Sequence, residues 1–204
     1  MKKLLFLLSI ALFAALAIEI KHGTTVVWPS SGKLTMRPAI VAGRIGALVK
    51  PTPVEVGSHA GYSMPLYAAD EELYFRDYVP GRWDGASDFT VTVLCCLAAA
   101  ETANEDFEFI LEWENTTFPG TLTTGTTIVT NAVNIVSAAQ YATYKMDFTI
   151  DWNLPATDVA ASQHMGYRLR RQAVSGGGAD EVEGDVIVLD ILITYNVDKI
   201  YKAL

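Results

Sequence analysis

The chain has 204 residues, half of them hydrophobic and 19% charged, with a formal net charge of −8. That supplies one large core and excludes long disorder, which needs low hydrophobicity and high charge. The acidic balance excludes nucleic acid as the main partner, since wrapping it takes many Lys and Arg contacts to phosphate, and a charged share below the usual quarter or so leaves apolar surface for a partner or for other copies of the chain.

The N-terminus reads as a leader. Met1-Lys2-Lys3 is basic, Leu4 to Leu12 is apolar but for Ser9, and Ala15-Leu16-Ala17 has small residues where a signal peptidase reads. This is the pattern of a secretory signal cut after Ala17. It divides the chain into a leader at 1–17 and one β-sandwich domain at 18–204. A retained anchor and an apolar arm buried in an assembly are the alternatives. Leu4 to Ile20 is at the short end of the roughly 17–25 residues that cross a bilayer, so no stable membrane span is expected.

Beyond the leader the dominant period is two. Thr24 to Trp28 and Lys33 to Met36 are short strand candidates, separated by Pro29-Ser30-Ser31-Gly32. The stretch from Ala39 to Ala60, rich in Gly and Pro yet apolar, reads as an extended arm or edge strand. Glu72 to Tyr78 is a further strand. Phe89, Val91, Val93, Cys95 and Leu97 alternate with Asp88, Thr90 and Thr92, and Ala98 to Glu105 reads as a helical turn or a loop. Phe107, Phe109, Leu111 and Trp113 alternate with acids except at Ile110, which predicts a half-buried strand with a wet acidic face. Thr126 to Val136 is a weaker candidate. Tyr144, Met146, Phe148, Ile150 and Trp152 alternate with polar residues, as do Met165, Tyr167 and Leu169 with Arg168 and Arg170.

The last strand, Asp185 to Val197, is apolar on both sides. A regular period places Ile187, Leu189, Ile191, Ile193, Tyr195 and Val197 on one face, and Val186, Val188 and Leu192 with Asp190 on the other. A strand covered on both faces belongs at the centre of a sheet or against another subunit. Eight or more strands punctuated by turn residues predict an all-β fold, a two-sheet antiparallel sandwich of the jelly-roll type.

Residues that carry chemistry are sparse. Glu112 and Glu114 lie roughly 7 Å apart along one strand, a spacing glycosidases use, but Trp113 stands between them and a solvated face accounts for the pair. His22, His59 and His164 have no metal-ligand spacing. No Gly-x-Ser-x-Gly elbow or phosphate loop is present. Asp180, Glu181, Glu183 and Asp185 form an acidic loop without the order of a calcium-binding hand. Asn115-Thr116-Thr117 is an N-glycosylation acceptor sequence. Cys95 and Cys96 are adjacent, so a strand aims them to opposite faces and they cannot bridge easily to each other. They read as buried thiols, with an intermolecular bridge through Cys96 as the alternative. No metal and no cofactor is called for. Trp83, in a Gly-flanked turn between Arg82 and Asp84 with Tyr62, Tyr67 and Tyr78 nearby, reads either as a plug closing the sandwich or as an aromatic contact for sugar or protein.

The run Tyr78-Val79-Pro80-Gly81-Arg82-Trp83-Asp84-Gly85-Ala86-Ser87-Asp88 resembles uncharacterised structural proteins of phage and metagenomic viral genomes. So does Tyr167-Arg168-Leu169-Arg170-Arg171, followed by Glu183-Gly184-Asp185 and an apolar strand closing on Asp198-Lys199. The resemblance spans roughly residues 24 to 200. It implies a capsid, decoration or tail-appendage subunit, whereas the leader implies export to a cell surface. The expected function is therefore a non-enzymatic structural subunit of a virion or an extracellular surface, assembling with copies of itself or other structural proteins. The expected contacts are Arg82, Trp83, Asp84, Val188 and Leu192. A secreted carbohydrate-binding sandwich, with glycans as partners, is the alternative, and a jelly-roll glycoside hydrolase a third.

Overall fold

A computed structural model describes residues 31–43, 51–65, 72–102, 104–120, 127–153, 158–172, 182 and 184–198. The leader, the candidate strand at 24–28, Tyr67, and Asp180, Glu181 and Glu183 lie outside the described residues. Eleven strands follow in chain order: β1 (Ser31–Met36), β2 (Ala39–Gly43), β3 (Thr52–Val56), β4 (His59–Met64), β5 (Glu72–Tyr78) and β6 (Phe89–Leu97). They continue with β7 (Glu105–Thr116), β8 (Thr127–Ile135), β9 (Thr143–Ile150), β10 (His164–Gln172) and β11 (Val186–Asp198). The arm expected at 39–60 contains two edge strands, β2 and β3, one on each sheet, and the start of β4; of the 98–105 segment, 98–102 and 104 lie outside the strands and Glu105 begins β7.

All pairing is antiparallel. One sheet runs β3-β4-β11-β6-β9, with β1 alongside the far half of β11, and the other runs β2-β5-β10-β7-β8. From β4 onward the chain changes sheet at every connection except the one from β7 to β8. The strands β4-β11-β6-β9 face β5-β10-β7-β8, and this interleaving is the jelly roll expected from the sequence.

Alternation explains which residues meet in the middle. Phe107, Phe109, Leu111 and Trp113 of β7 point inward, as do Met146, Phe148 and Ile150 of β9, Phe89, Val91 and Val93 of β6, and Leu73 and Phe75 of β5. Phe75 stacks on Tyr167 at 4.8 Å and Phe89 on Tyr195 at 4.7 Å. Cys95 joins this core, and burial, with Cys96 beside it, pushes its thiol up to about 12. Cys96 faces the other way, yet it too is buried. That closes off the intermolecular bridge considered from the sequence.

β11 departs from its expected phase. Val188 is opposite Cys95 and Asp190 is opposite Leu94, so Leu189 is one residue too many for the partner strand. This β-bulge swaps the inward set from Val186 and Val188 to Ile191, Ile193, Tyr195 and Val197. The single uninterrupted face expected from the sequence is thereby corrected. Val188 is 1% exposed in the chain's own core, so it is not presented to another subunit. Leu192 lies half-buried on the outer face, opposite Thr92.

The bulge is held against Gly61 of β4. A Cβ at Gly61 would lie 2.6 Å from the Val188 carbonyl oxygen and 2.8 Å from Ile187 Cγ2. Gly61→Ala is expected to lower unfolding free energy by about 1–3 kcal/mol through overpacking. Val188→Asp should cost more than about 3 kcal/mol by burying an unpaired charge, and Leu192→Asp about 1 kcal/mol or less. Denaturant titration of the three variants checks this ordering.

Candidate functional site

Three of the residues expected to make contacts lie in the turn after β5. Trp83 is buried at the end of the sandwich, where its Nε1 donates to the Ser87 carbonyl at 3.1 Å and its ring meets Trp152 edge-on at 6.0 Å. It also bridges to Val197 at the end of β11. The Asp84 carboxylate accepts the Ala86 and Ser87 amides at 3.0 Å each and the Ser87 hydroxyl. Gly85 takes the left-handed φ of 70° that this turn requires. Trp83 therefore closes the core and Asp84 ties the turn; of the three, Arg82 is the exposed one.

The acidic face of β7 is not wet. Glu112 is 3% exposed, although it points away from the core. β10 lies beside β7 with Arg168 opposite Glu112, and the long arginines cover the shorter acids. Arg168 Nη2 pairs with Glu112 Oε2, Arg170 Nε with Oε1 at 3.1 Å, and Arg168 Nη1 reaches Glu72 at 3.0 Å. Both Glu112 oxygens are thus engaged by guanidinium groups, and neither is placed to pass a proton to a substrate. Arg171, the third of the basic cluster, points inward and donates to the carbonyls of Met64, Val182 and Gly184.

A different cluster emerges from strand register. Tyr78 at the end of β5, His164 at the start of β10 and Thr116 at the end of β7 are cross-strand neighbours on the outer face of one sheet. The Tyr78 ring meets the His164 imidazole edge-on at 5.2 Å, and Phe118, just past β7, meets the same imidazole at 5.6 Å. The three rings form a row. Tyr78 is 60% and Phe118 61% exposed, a costly arrangement for large apolar side chains that serve only the fold.

Thr117 and Pro119, on either side of Phe118, line a cleft of about 470 Å³ with Asn115, Asp158 and Gln163. Its polar groups brace one another. Asn115 Nδ2 donates to the Asp158 carbonyl at 2.8 Å and to Gln163 Oε1 at 2.9 Å, while Gln163 Nε2 donates to the Thr117 hydroxyl at 3.1 Å. A glycan on Asn115 would replace an amide hydrogen used in this network. Thr116, also in the lining, is buried and its Oγ1 has no hydrogen-bond partner among the described residues. Gly120 closes the floor: a Cβ there would meet the Thr117 carbonyl oxygen at 2.2 Å. Among the described residues, no Lys or Arg lines the cleft.

Asp77 supports the row from inside the sheet. It accepts the Tyr78 amide at 2.7 Å and the Tyr195 hydroxyl at 3.4 Å. Burial holds its carboxyl above the usual carboxylate range despite those bonds. Among the described residues, no cluster of His, Cys, Asp and Glu could hold a metal ion, and no helix is long and apolar enough to cross a membrane.

No family model and no curated protein sequence matches the chain. Solved structures that it is similar to include the xylan-binding module CBM15, at 8% identity over 80% of this chain and 97% of that one, with a TM-score of 0.44. The CBM36-1 domain of a multidomain xylanase from the hindgut metagenome of Trinervitermes trinervoides aligns at 12% identity over 80% and 96%, with a TM-score of 0.37. Infectious bursal disease virus, Gx strain, aligns at 9% identity over 84% of this chain and 33% of the viral one, with a TM-score of 0.30.

The raised Asp77 carboxyl makes a signed prediction. Its folded value exceeds the unfolded value, so the folded state gains stability from this group as pH falls through the folded value, and the charge costs stability above it. Asp77→Asn keeps an acceptor for the Tyr78 amide and removes the charge. The variant is expected to melt higher than the parent at neutral pH. The gap should narrow on acidification and stop changing below the ordinary value of 3.8, as read from melting curves across pH.

Proposed function

We propose that this chain is a non-catalytic, glycan-binding β-sandwich that works outside the cell, on a cell surface or as part of a virus particle. The observation that carries the reading is the exposed row Tyr78–His164–Phe118 beside the amide- and hydroxyl-lined cleft. A pyranose ring offers an apolar C–H face and a rim of hydroxyls. Flat aromatic rings take the first, and preorganised amides and hydroxyls take the second.

The chemistry of the cleft narrows the ligand. With Asp158 in the lining and no Lys or Arg among the described lining residues, it favours a neutral saccharide over a uronate or a sulfated chain. Hydrolysis is not part of the proposal, because the acid nearest to a glycosidase role, Glu112, is paired with two arginines. The self-assembly expected from the sequence would use another part of the molecule, the free edge of β8.

The test is affinity electrophoresis against a panel of neutral and anionic polysaccharides, followed by calorimetry on any that retard the protein. Tyr78→Ala and Phe118→Ala are each expected to weaken binding about tenfold, the equivalent of roughly 1.4 kcal/mol. Trp83→Ala, by contrast, should lower thermal stability because it opens the core. Absence of binding across the panel, or binding that neither ring affects, would refute the reading.

A further inference from the structure

Among the described residues, β8 closes one end of its sheet and pairs with β7 alone. Its sequence, Thr-Ile-Val-Thr-Asn-Ala-Val-Asn-Ile, holds no charge and no proline over nine residues. Proteins guard free edges with charges, prolines or short strands, because unpaired backbone groups invite another strand. Among the described residues, the other edges are guarded in that way, β1 by Lys33. β3 carries Pro53 and Glu55, β9 carries Lys145 and Asp147, and β2 is five residues long. The Asn131 amide of β8 donates to the Asp147 carbonyl of β9 at 2.9 Å, so a side chain on the inner face of β8 ties the two edges together.

Apolar exposure gathers at the same edge. Ile128 on β8, and Val136 and Tyr141 in the turn that follows it, are exposed, Val136 to 72%. Tyr141 also holds a φ of 64°, the left-handed region that a bulky side chain rarely adopts. None of the three joins the buried core cluster of the described residues.

We infer that β8 pairs antiparallel with β8 of a second copy of this chain, about a two-fold axis at Asn131. This register is self-complementary. Ile128 faces Asn134 of the partner copy, Thr130 faces Ala132, and residues of like orientation stay on the same face. The charge of −8 selects the site as well. Two equally acidic chains approach with least repulsion where a whole strand is uncharged, and here each brings exposed Ile128 towards Val136 of the other.

The test is sedimentation velocity on the purified protein over a range of concentrations, with Thr130→Lys and Ala132→Glu as variants. Both positions are exposed, so both variants should fold, which circular dichroism checks. The parent is expected to form a dimer. Each variant alone should weaken it at least tenfold, and mixing the two should restore it, because Lys at 130 then faces Glu at 132. A parent that keeps one chain mass at every concentration overturns the inference. So does a dimer indifferent to both substitutions, and failure of the mixture to re-associate overturns the two-fold register.

Discussion

The molecule depends on a sheet of aromatic rings pressed between two sheets of backbone. Phe75, Phe89, Phe107, Phe109, Trp113 and Phe148 are all fully buried there. Rings of this size fill the roughly 10 Å between packed sheets and bury far more apolar area than aliphatic side chains. The ends of such a core are its weak points, since no strand covers them. Trp83, carried by a turn and set edge-on to Trp152, closes one end. That need for closure determined the fate of the most conspicuous exposed-looking aromatic in the sequence.

With the interior settled, the outer faces divide by chemistry. In the middle of one sheet, Glu72, Glu112, Arg168 and Arg170 interlock as side chains across neighbouring strands. A network of this kind stiffens the sheet and offers little to a ligand, because its charges already face one another. At the end of the same sheet the polar ladder gives way to rings and amides. The strands splay into loops there, and Asn115, Gln163 and Thr117 are held by each other instead of by a neighbouring strand. Rigid support lies directly beneath: Asp77 secures the Tyr78 backbone from the core side.

Much of this architecture was readable from alternation. β5, β7, β9 and β10 lie within a residue or two of their expected bounds, because each has one apolar and one polar face. β2, β3 and the first two residues of β4 read as one arm at 39–60, because Gly, Ala and Pro blur the period there. The bulge at Leu189 was invisible for the opposite reason: with apolar residues on both faces, a slip of one leaves the pattern looking unbroken. Glu112 was taken as solvated since its cover, Arg168, is 56 positions away. The row of Tyr78, His164 and Phe118 has no signature in the sequence at all. The three come from separate segments, and only the register of β5, β10 and β7 makes them neighbours.

The order of the strands has a consequence for how the chain is made. β11, which follows the ten other described strands along the chain, is the centre of its sheet, where β1 and β4 pair along one side and β6 along the other. Until it emerges, the three earlier strands have no partner in common and half of the core has no lid. Completion of this sheet therefore waits for β11, because distant pairings dominate. A chain still lacking β11 stays threadable through a narrow pore.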